Sequence, residues 1–257
     1  MKTLEVLFTP ADFGALEQRN LSDTVCVVFD VFRATTSMVS ALANGAAAII
    51  PVAEIPGALA IKNKEPSVLL AGERDGVRIR ASLTGGTDFD LGNSPREFTR
   101  EKVSGKTIVM STTNGTRALR SCAPAKTVLI GSFLNLQATA DFVLHHTAKN
   151  LLIVCSGTFE QASYEDVLGA GALCQLLWKG FAPGKTSDSA KMALNLFRIA
   201  EKNLLTEASK SRNGARLSAI PELRDDVPFC VQRDVFNFIA ALNGDGKITI
   251  ISGDKTA

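Results

Sequence analysis

Residues Val25 to Gly45 read VCVVFDVFRATTSMVSALANG. Val25 to Phe29 is a short apolar run rich in β-branched residues, the pattern of a strand buried on both faces in a parallel sheet. Asp30 ends it and so stands at the C-terminal edge of the sheet, where open α/β folds form their ligand crevices. Arg33 follows three residues later, and Thr35, Thr36 and Ser37 lead into SMVSALANG, whose Met38, Val39, Leu42 and closing Gly45 suit a short amphipathic helix. One strand-to-helix corner thus presents a carboxylate, a guanidinium and several hydroxyls.

The alternation continues on both sides of this corner. Leu4 to Phe8, Ala48 to Val52, Ser67 to Ala71, Thr107 to Met110, Thr127 to Ile130, Leu151 to Val154 and Ile248 to Ile251 read as strands. Helices are predicted over Ile55 to Lys62, from Pro95 with Ser94 as its cap, over Leu136 to Leu144, and from Tyr164 to Trp178. A longer one spans Ser187 to Asn203 with Met192, Leu196 and Ile199 on its apolar face, and SRNG at Ser211 to Gly214 reads as a polar turn. Between Gly76 and Phe98 the sequence reads as a long loop rich in Gly, Thr and Asp. Strands and helices at this spacing predict βαβ units, hence an α/β fold with a mostly parallel or mixed sheet sandwiched by helices. The chain is read as a single α/β domain over 1–257, with a smaller α-rich part and a sub-boundary near residue 184.

Composition excludes several classes. A formal net charge of +2, without a basic stripe interleaved with aromatics, gives no footprint for nucleic acid. No run reaches the ~20 apolar residues of a membrane span, and the apolar stretch in MKTLEVLFTP is too short for a signal-peptide core, so a cytoplasmic protein is expected. The partner is expected to be a small anionic substrate, with a homo-oligomer compatible with the sequence. Five cysteines, Cys26, Cys122, Cys155, Cys174 and Cys230, form no C-x-x-C pair and read as small core residues.

Acids recur just beyond predicted strands: Asp30, Glu73, and the pair Glu165 and Asp166. If their strands are parallel neighbours, the carboxylates converge on one crevice, and clustered carboxylates without histidines are the hard-oxygen environment that Mg²⁺ prefers. Each acid also has a plainer role. Asp30 can cap the following turn, Glu73 can sit solvated in GERDG, and Glu165 or Asp166 can complement the positive end of a helix. A second constellation, STTNGTR, places Ser111, Thr112, Thr113, Asn114, Gly115 and Arg117 between a strand and a helix. Hydroxyls and fresh helix N–H groups there can cradle an anion or simply cap the helix. Arg33 and Arg117 flank the two corners with guanidinium forks suited to phosphate. His145 and His146 flank no motif, and Cys155 lacks the arginine six residues on that a cysteine phosphate loop needs, Gln161 standing there instead.

Four stretches together, VVFDVFRATTSMVSALANGA, LAGERDG with the later LGNSP, STTNGTRAL, and CSGTFEQASYEDVLGAG, resemble the 2-phosphosulfolactate phosphatase family, Mg²⁺-dependent enzymes named for a step in coenzyme M biosynthesis. SRNGARL and DVPFCVQRD are similar to its C-terminal motifs, with Arg233 a departure. The resemblance implies hydrolysis of the phosphate ester of a small sulfonated hydroxy acid to 3-sulfolactate and phosphate. It places Asp30, Glu73 and Asp166 near the metal, and Arg33 and the Ser111 to Gly115 loop near the phosphate or sulfonate. From their places at the same corners, Glu165 is added to the expected metal ligands, and Thr35 and Arg117 to the expected phosphate-binding residues. Attack on phosphorus by water or by Asp30 itself fits these residues equally. Two alternatives stay open: a haloacid-dehalogenase-like phosphatase, whose second Asp would fall where Phe32 stands, and a non-catalytic binder of small anionic metabolites.

Overall fold

The computed structural model describes residues 3–16, 18–182 and 184–251. In chain order the strands are β1 (Thr3–Leu7), β2 (Thr24–Phe29), β3 (Ala48–Val52), β4 (Leu69–Arg74), β5 (Val77–Arg78), β6 (Thr107–Ser111), β7 (Thr127–Gly131), β8 (Asn150–Cys155), β9 (Ile239–Leu242) and β10 (Ile248–Ile251). The helices are α1 (Phe13–Leu16), α2 (Ala34–Ala43), α3 (Ile55–Lys64), α4 (Ala81–Thr84), α5 (Arg100–Val103), α6 (Gly115–Cys122), α7 (Leu136–His145), α8 (Tyr164–Leu177), α9 (Asp188–Ala200), α10 (Leu204–Ser209), α11 (Arg212–Ser218) and α12 (Asp226–Cys230).

All ten strands join one sheet in the order β1-β8-β2-β7-β9-β10-β3-β6-β4-β5. β1, β8, β2 and β7 form one parallel half, and β3, β6 and β4 a second. The β9–β10 hairpin lies between them, antiparallel to β7 on one side and to β3 on the other. The expected mixed α/β sheet is therefore what forms, but β4 is no neighbour of β2, and β9 was not anticipated.

The halves curl around a shared core. Residues of β2 (Cys26, Val28) and β7 (Ile130) pack through α2 (Met38, Leu42) and α6 (Ala118, Leu119) against β3 (Ile49) and β6 (Ile108, Met110). Strand twist of on the order of 20–25° per step, accumulated across the intervening strands, turns one half over the other. The opposite face of the first half carries Val25, Val27, Phe29 and Ile153 against α7, α8 and α9. The outer face of the second half is covered by α3. The strict alternation along β2 explains why its apolar run is unbroken: both faces are covered.

Several local expectations are corrected. α9 buries Ala190, Ala193, Leu194, Phe197 and Ala200, while Met192 and Ile199 are 61% and 80% exposed. The small residues allow α9 to lie close on α8, a contact that the longer side chains of the other face would hold apart. Pro95 opens only one 3₁₀ turn, Pro95–Glu97, and Ser94 makes no cap but donates instead to Asp226. SRNG is not a turn: Ser211 caps α11 by accepting from the Gly214 amide. Glu73 lies within β4, which runs on to Arg74 and returns through an Asp75-Gly76 turn into β5. Both turn residues have positive φ, 54° and 77°, the geometry in which Asp-Gly favours a two-residue hairpin. The five cysteines are free and buried, as expected.

Candidate active site

A cavity of about 720 Å³, counting its open mouth, lies where the loops after β2, β6 and β8 meet the β4–β5 hairpin and α11. Asp30, Arg33, Glu73, Thr113, Asn114, Glu165 and Asp166 all line it. Acids from both halves of the curled sheet thus share one wall, although their strands are not all neighbours. The contact that joins the halves is close: a Cβ on Gly115, first residue of α6, would lie 2.7 Å from Asp30 Oδ2.

The backbone at Asp30 is clamped by Thr35, whose hydroxyl accepts from the Asp30 amide and donates to its carbonyl, each at 3.0 Å. Asp30 Oδ1 accepts from the Ala34 amide at 3.1 Å. Thr35 is therefore held behind the site, away from the cavity lining. Asp166 accepts from the Val31 amide through Oδ1 and from Ser156 Oγ and the Gly157 amide through Oδ2. Both of its oxygens are committed to tying the loops after β2 and β8 together. Glu73 is similarly occupied: Oε1 accepts from the amide and hydroxyl of Thr113, both at 2.9 Å, and Oε2 from the Gly76 amide at 2.8 Å. Glu165 differs. Its Oε1 accepts from Asn213 Nδ2 at 2.6 Å, and its buried Oε2 has no hydrogen-bond partner among the described residues.

Burial in this acid-rich pocket pushes the Asp30 carboxyl up to about 6, with Glu73 and Glu165 adding repulsion. Burial also raises Glu165, and it raises Asp166 well above the usual carboxylate range, helped by the charges of Glu165 and Asp30. Burial likewise pushes the Cys155 thiol far up, which leaves it an inert core thiol.

Arg33 is buried, with Nη1 donating to Asp226 Oδ2 at 2.8 Å and Nη2 to the Gly76 carbonyl at 2.6 Å. Asp226 accepts through its other oxygen from Ser94 Oγ at 2.6 Å. Of the STTNGTR stretch, only Thr113 and Asn114 reach the cavity wall. Ser111 accepts from Arg74 Nη2, and the buried Thr112 hydroxyl has no partner among the described residues. Arg117 falls outside the cavity lining: it is half-exposed, paired with Glu160, and laid over the Phe13 ring.

Among the described residues, no three His, Cys, Asp or Glu side chains are grouped to hold a metal ion by themselves. Mg²⁺ rarely needs such a cage, since it keeps waters and binds through one or two carboxylates together with substrate phosphate. The donor set fits that mode, because Glu165 Oε2 is buried without a partner among the described residues and Asp30 lines the same cavity. Glu73 and Asp166, expected from the sequence as further ligands, line the same cavity and accept hydrogen bonds from backbone amides there.

Asn213, Asp226, Ser156 and Arg216 were not singled out in the sequence. Asn213, Arg216 and Asp226 fall inside SRNGARL and DVPFCVQRD, and the Asp75-Gly76 pair was the available signal for the hairpin that presents Glu73.

The sequence model of the family described as 2-phosphosulpholactate phosphatase matches residues 13–245. A probable 2-phosphosulfolactate phosphatase of Caldanaerobacter subterraneus subsp. tengcongensis is 36% identical over 240 residues, covering 92% of this chain and 95% of the relative. Proteins of the same description from Caldicellulosiruptor saccharolyticus and Thermotoga petrophila are 37% and 38% identical, covering 83% and 84% of this chain and 87% and 88% of their own lengths. A family match across nearly the whole chain, with relatives this similar over most of both lengths, means that this protein belongs to the 2-phosphosulpholactate phosphatase family.

Proposed function

We propose that the protein is a cytoplasmic, Mg²⁺-dependent phosphoric monoester hydrolase that converts 2-phosphosulfolactate to 3-sulfolactate and phosphate, the step for which its family is named in coenzyme M biosynthesis. The observation that carries this reading is the gathering, on one wall, of Asp30, of Glu165 with its buried Oε2 unpartnered among the described residues, and of the buried guanidinium of Arg33. Asp30 and Glu165 would hold the ion, which when bound supplies Lewis-acid polarisation of the phosphoryl oxygens.

The chain's own residues do the rest. Arg33 is fixed by Asp226 and Gly76 before substrate arrives, so its charge needs no reorganisation as negative charge develops on the phosphoryl oxygens. The Thr113 and Asn114 corner presents the start of α6, whose positive end favours an anion. Asp30, on the cavity wall, is the carboxylate that would accept the proton of an attacking water. Attack by Asp30 itself is the competing route. It is separated by quenching the enzyme during turnover and reducing with borohydride, which converts an aspartyl phosphate at position 30 to homoserine and leaves Asp30 unchanged if water attacks directly.

The test is phosphate release from 2-phosphosulfolactate, 2-phosphoglycolate and 2-phosphoglycerate with and without Mg²⁺. Turnover of the sulfonated ester that is abolished by EDTA and restored by Mg²⁺ supports the reading. Equal rates with and without metal overturn its metal dependence. Ligand-induced stabilisation without phosphate release would make the chain a binder of small anions.

A further inference from the structure

Gly76 is the meeting point of two guanidinium groups. Its carbonyl accepts from Arg33 and its amide donates to Glu73, while a Cβ at this position would lie only 3.4 Å from the guanidinium carbon of Arg216. The positive φ of 77° favours glycine there, and the Arg216 guanidinium lies within van der Waals reach of it. Arg216 reaches the cavity wall from α11 and is exposed at its mouth.

The two arginines are not equivalent. Arg33 carries its charge already matched by the buried Asp226 carboxylate. Arg216 is engaged in no ion pair or hydrogen bond among the described residues, so its fork of donors is uncommitted. The remaining charged groups on the wall, Asp30, Glu73, Asp75, Glu165 and Asp166, are all acids. A substrate with a second anionic group beside its phosphate ester would be repelled over most of this surface. It would find one unmatched cation, whose planar fork fits a carboxylate or sulfonate through two parallel hydrogen bonds.

We propose that Arg216 is a specificity-determining residue that binds the carboxylate or sulfonate carried next to the phosphate ester, and so selects acidic esters over neutral ones. This rests on the phosphatase reading above and assigns the second anion of its substrate.

The experiment compares Arg216→Gln and Arg216→Lys with the wild type on 2-phosphosulfolactate and on glycerol 2-phosphate, an ester of similar size without a second anion. In Arg216→Gln the ratio of kcat/KM for the two esters falls about 10- to 100-fold, chiefly through KM for the sulfonated ester. Arg216→Lys recovers part of the ratio, since it restores charge without the fork. A ratio in Arg216→Gln within about twofold of wild type overturns the assignment. Calorimetry with 3-sulfolactate and with inorganic phosphate gives a readout without turnover. Arg216→Gln should weaken the first far more than the second, and equal weakening of both, or of neither, overturns the proposal. If the wild type releases no phosphate from any ester, the phosphatase reading fails by itself, and this binding comparison still decides the role of Arg216.

Discussion

Asp226 Oδ2 accepts a 2.8 Å hydrogen bond from Arg33 Nη1 across 193 residues of sequence, with both side chains buried. The pair anchors the cavity's inner cation to α12. Removing one partner of a buried ion pair leaves the other charge without compensation, which is strongly destabilising. Asp226→Ala is therefore expected to lose about 3–5 kcal/mol of stability, read from the urea midpoint, whereas Asp226→Asn, which keeps the shape and can still accept from Arg33, loses less. A midpoint for Asp226→Ala unchanged from wild type would contradict the role of this pair.

The raised Asp30 carboxyl makes stability depend on pH in a defined direction. Between about pH 4 and about pH 6 the folded protein retains a proton on Asp30 that the unfolded chain releases, so raising the pH through that window reduces the contribution of this residue to stability. Asp30→Asn removes the effect. In EDTA the variant should gain on wild type by up to about 3 kcal/mol from pH 4 to pH 7, measured by paired urea melts. A difference that stays flat with pH would show that Asp30 titrates normally.

Protons and a divalent cation compete for the same carboxylates. With Asp30 pushed up to about 6 and Glu165 raised as well, the Mg²⁺ concentration for half-maximal phosphate release should fall as pH rises from 5 to 7. A half-saturation that is constant over this range would argue against these two acids as the ligands.

Gly115 leaves no room for a side chain, since its Cβ would approach Asp30 Oδ2 to 2.7 Å and the Ala34 Cβ to 2.8 Å. Gly115→Ala must displace the corner that joins the two halves of the site. Overpacking of this kind costs about 1–3 kcal/mol, and the expected result is a folded protein with kcat/KM reduced at least tenfold. Near-wild-type turnover would show that the corner can relax without moving Asp30.

Arg33 and Arg117 looked alike in the sequence, each beside a strand-to-helix corner, but only Arg33 lies on the cavity wall. Arg33→Ala should reduce kcat/KM by at least 100-fold. Arg117→Ala removes a surface ion pair worth up to about 1 kcal/mol and should reduce kcat/KM far less. Comparable losses in both variants would place Arg117 in the site after all.

The sheet was legible because apolar runs such as Val25–Phe29 are covered on both faces, and that pattern needs no knowledge of neighbours. The acids were legible as residues at strand ends but not in their roles. Nothing in the sequence tells Glu165, with one oxygen unclaimed, from Asp166, whose oxygens tie backbone amides. Asp226 and Asn213 were invisible for a different reason: each acts through a partner far away in the chain, and local pattern carries no such information. The face of α9 was misread because large apolar residues mark burial only where the packing distance admits them, and here alanines let the helices close.

The β9–β10 hairpin sits in the middle of the sheet although it comes from residues 239–251, after every side chain named at the cavity. On a ribosome, β7 and β3 therefore emerge long before the hairpin that fills the gap between them, and each shows a row of unpaired amides and carbonyls in the meantime. Between translation of residue 131 and residue 251 these two inner edges are thus open to pairing with another chain.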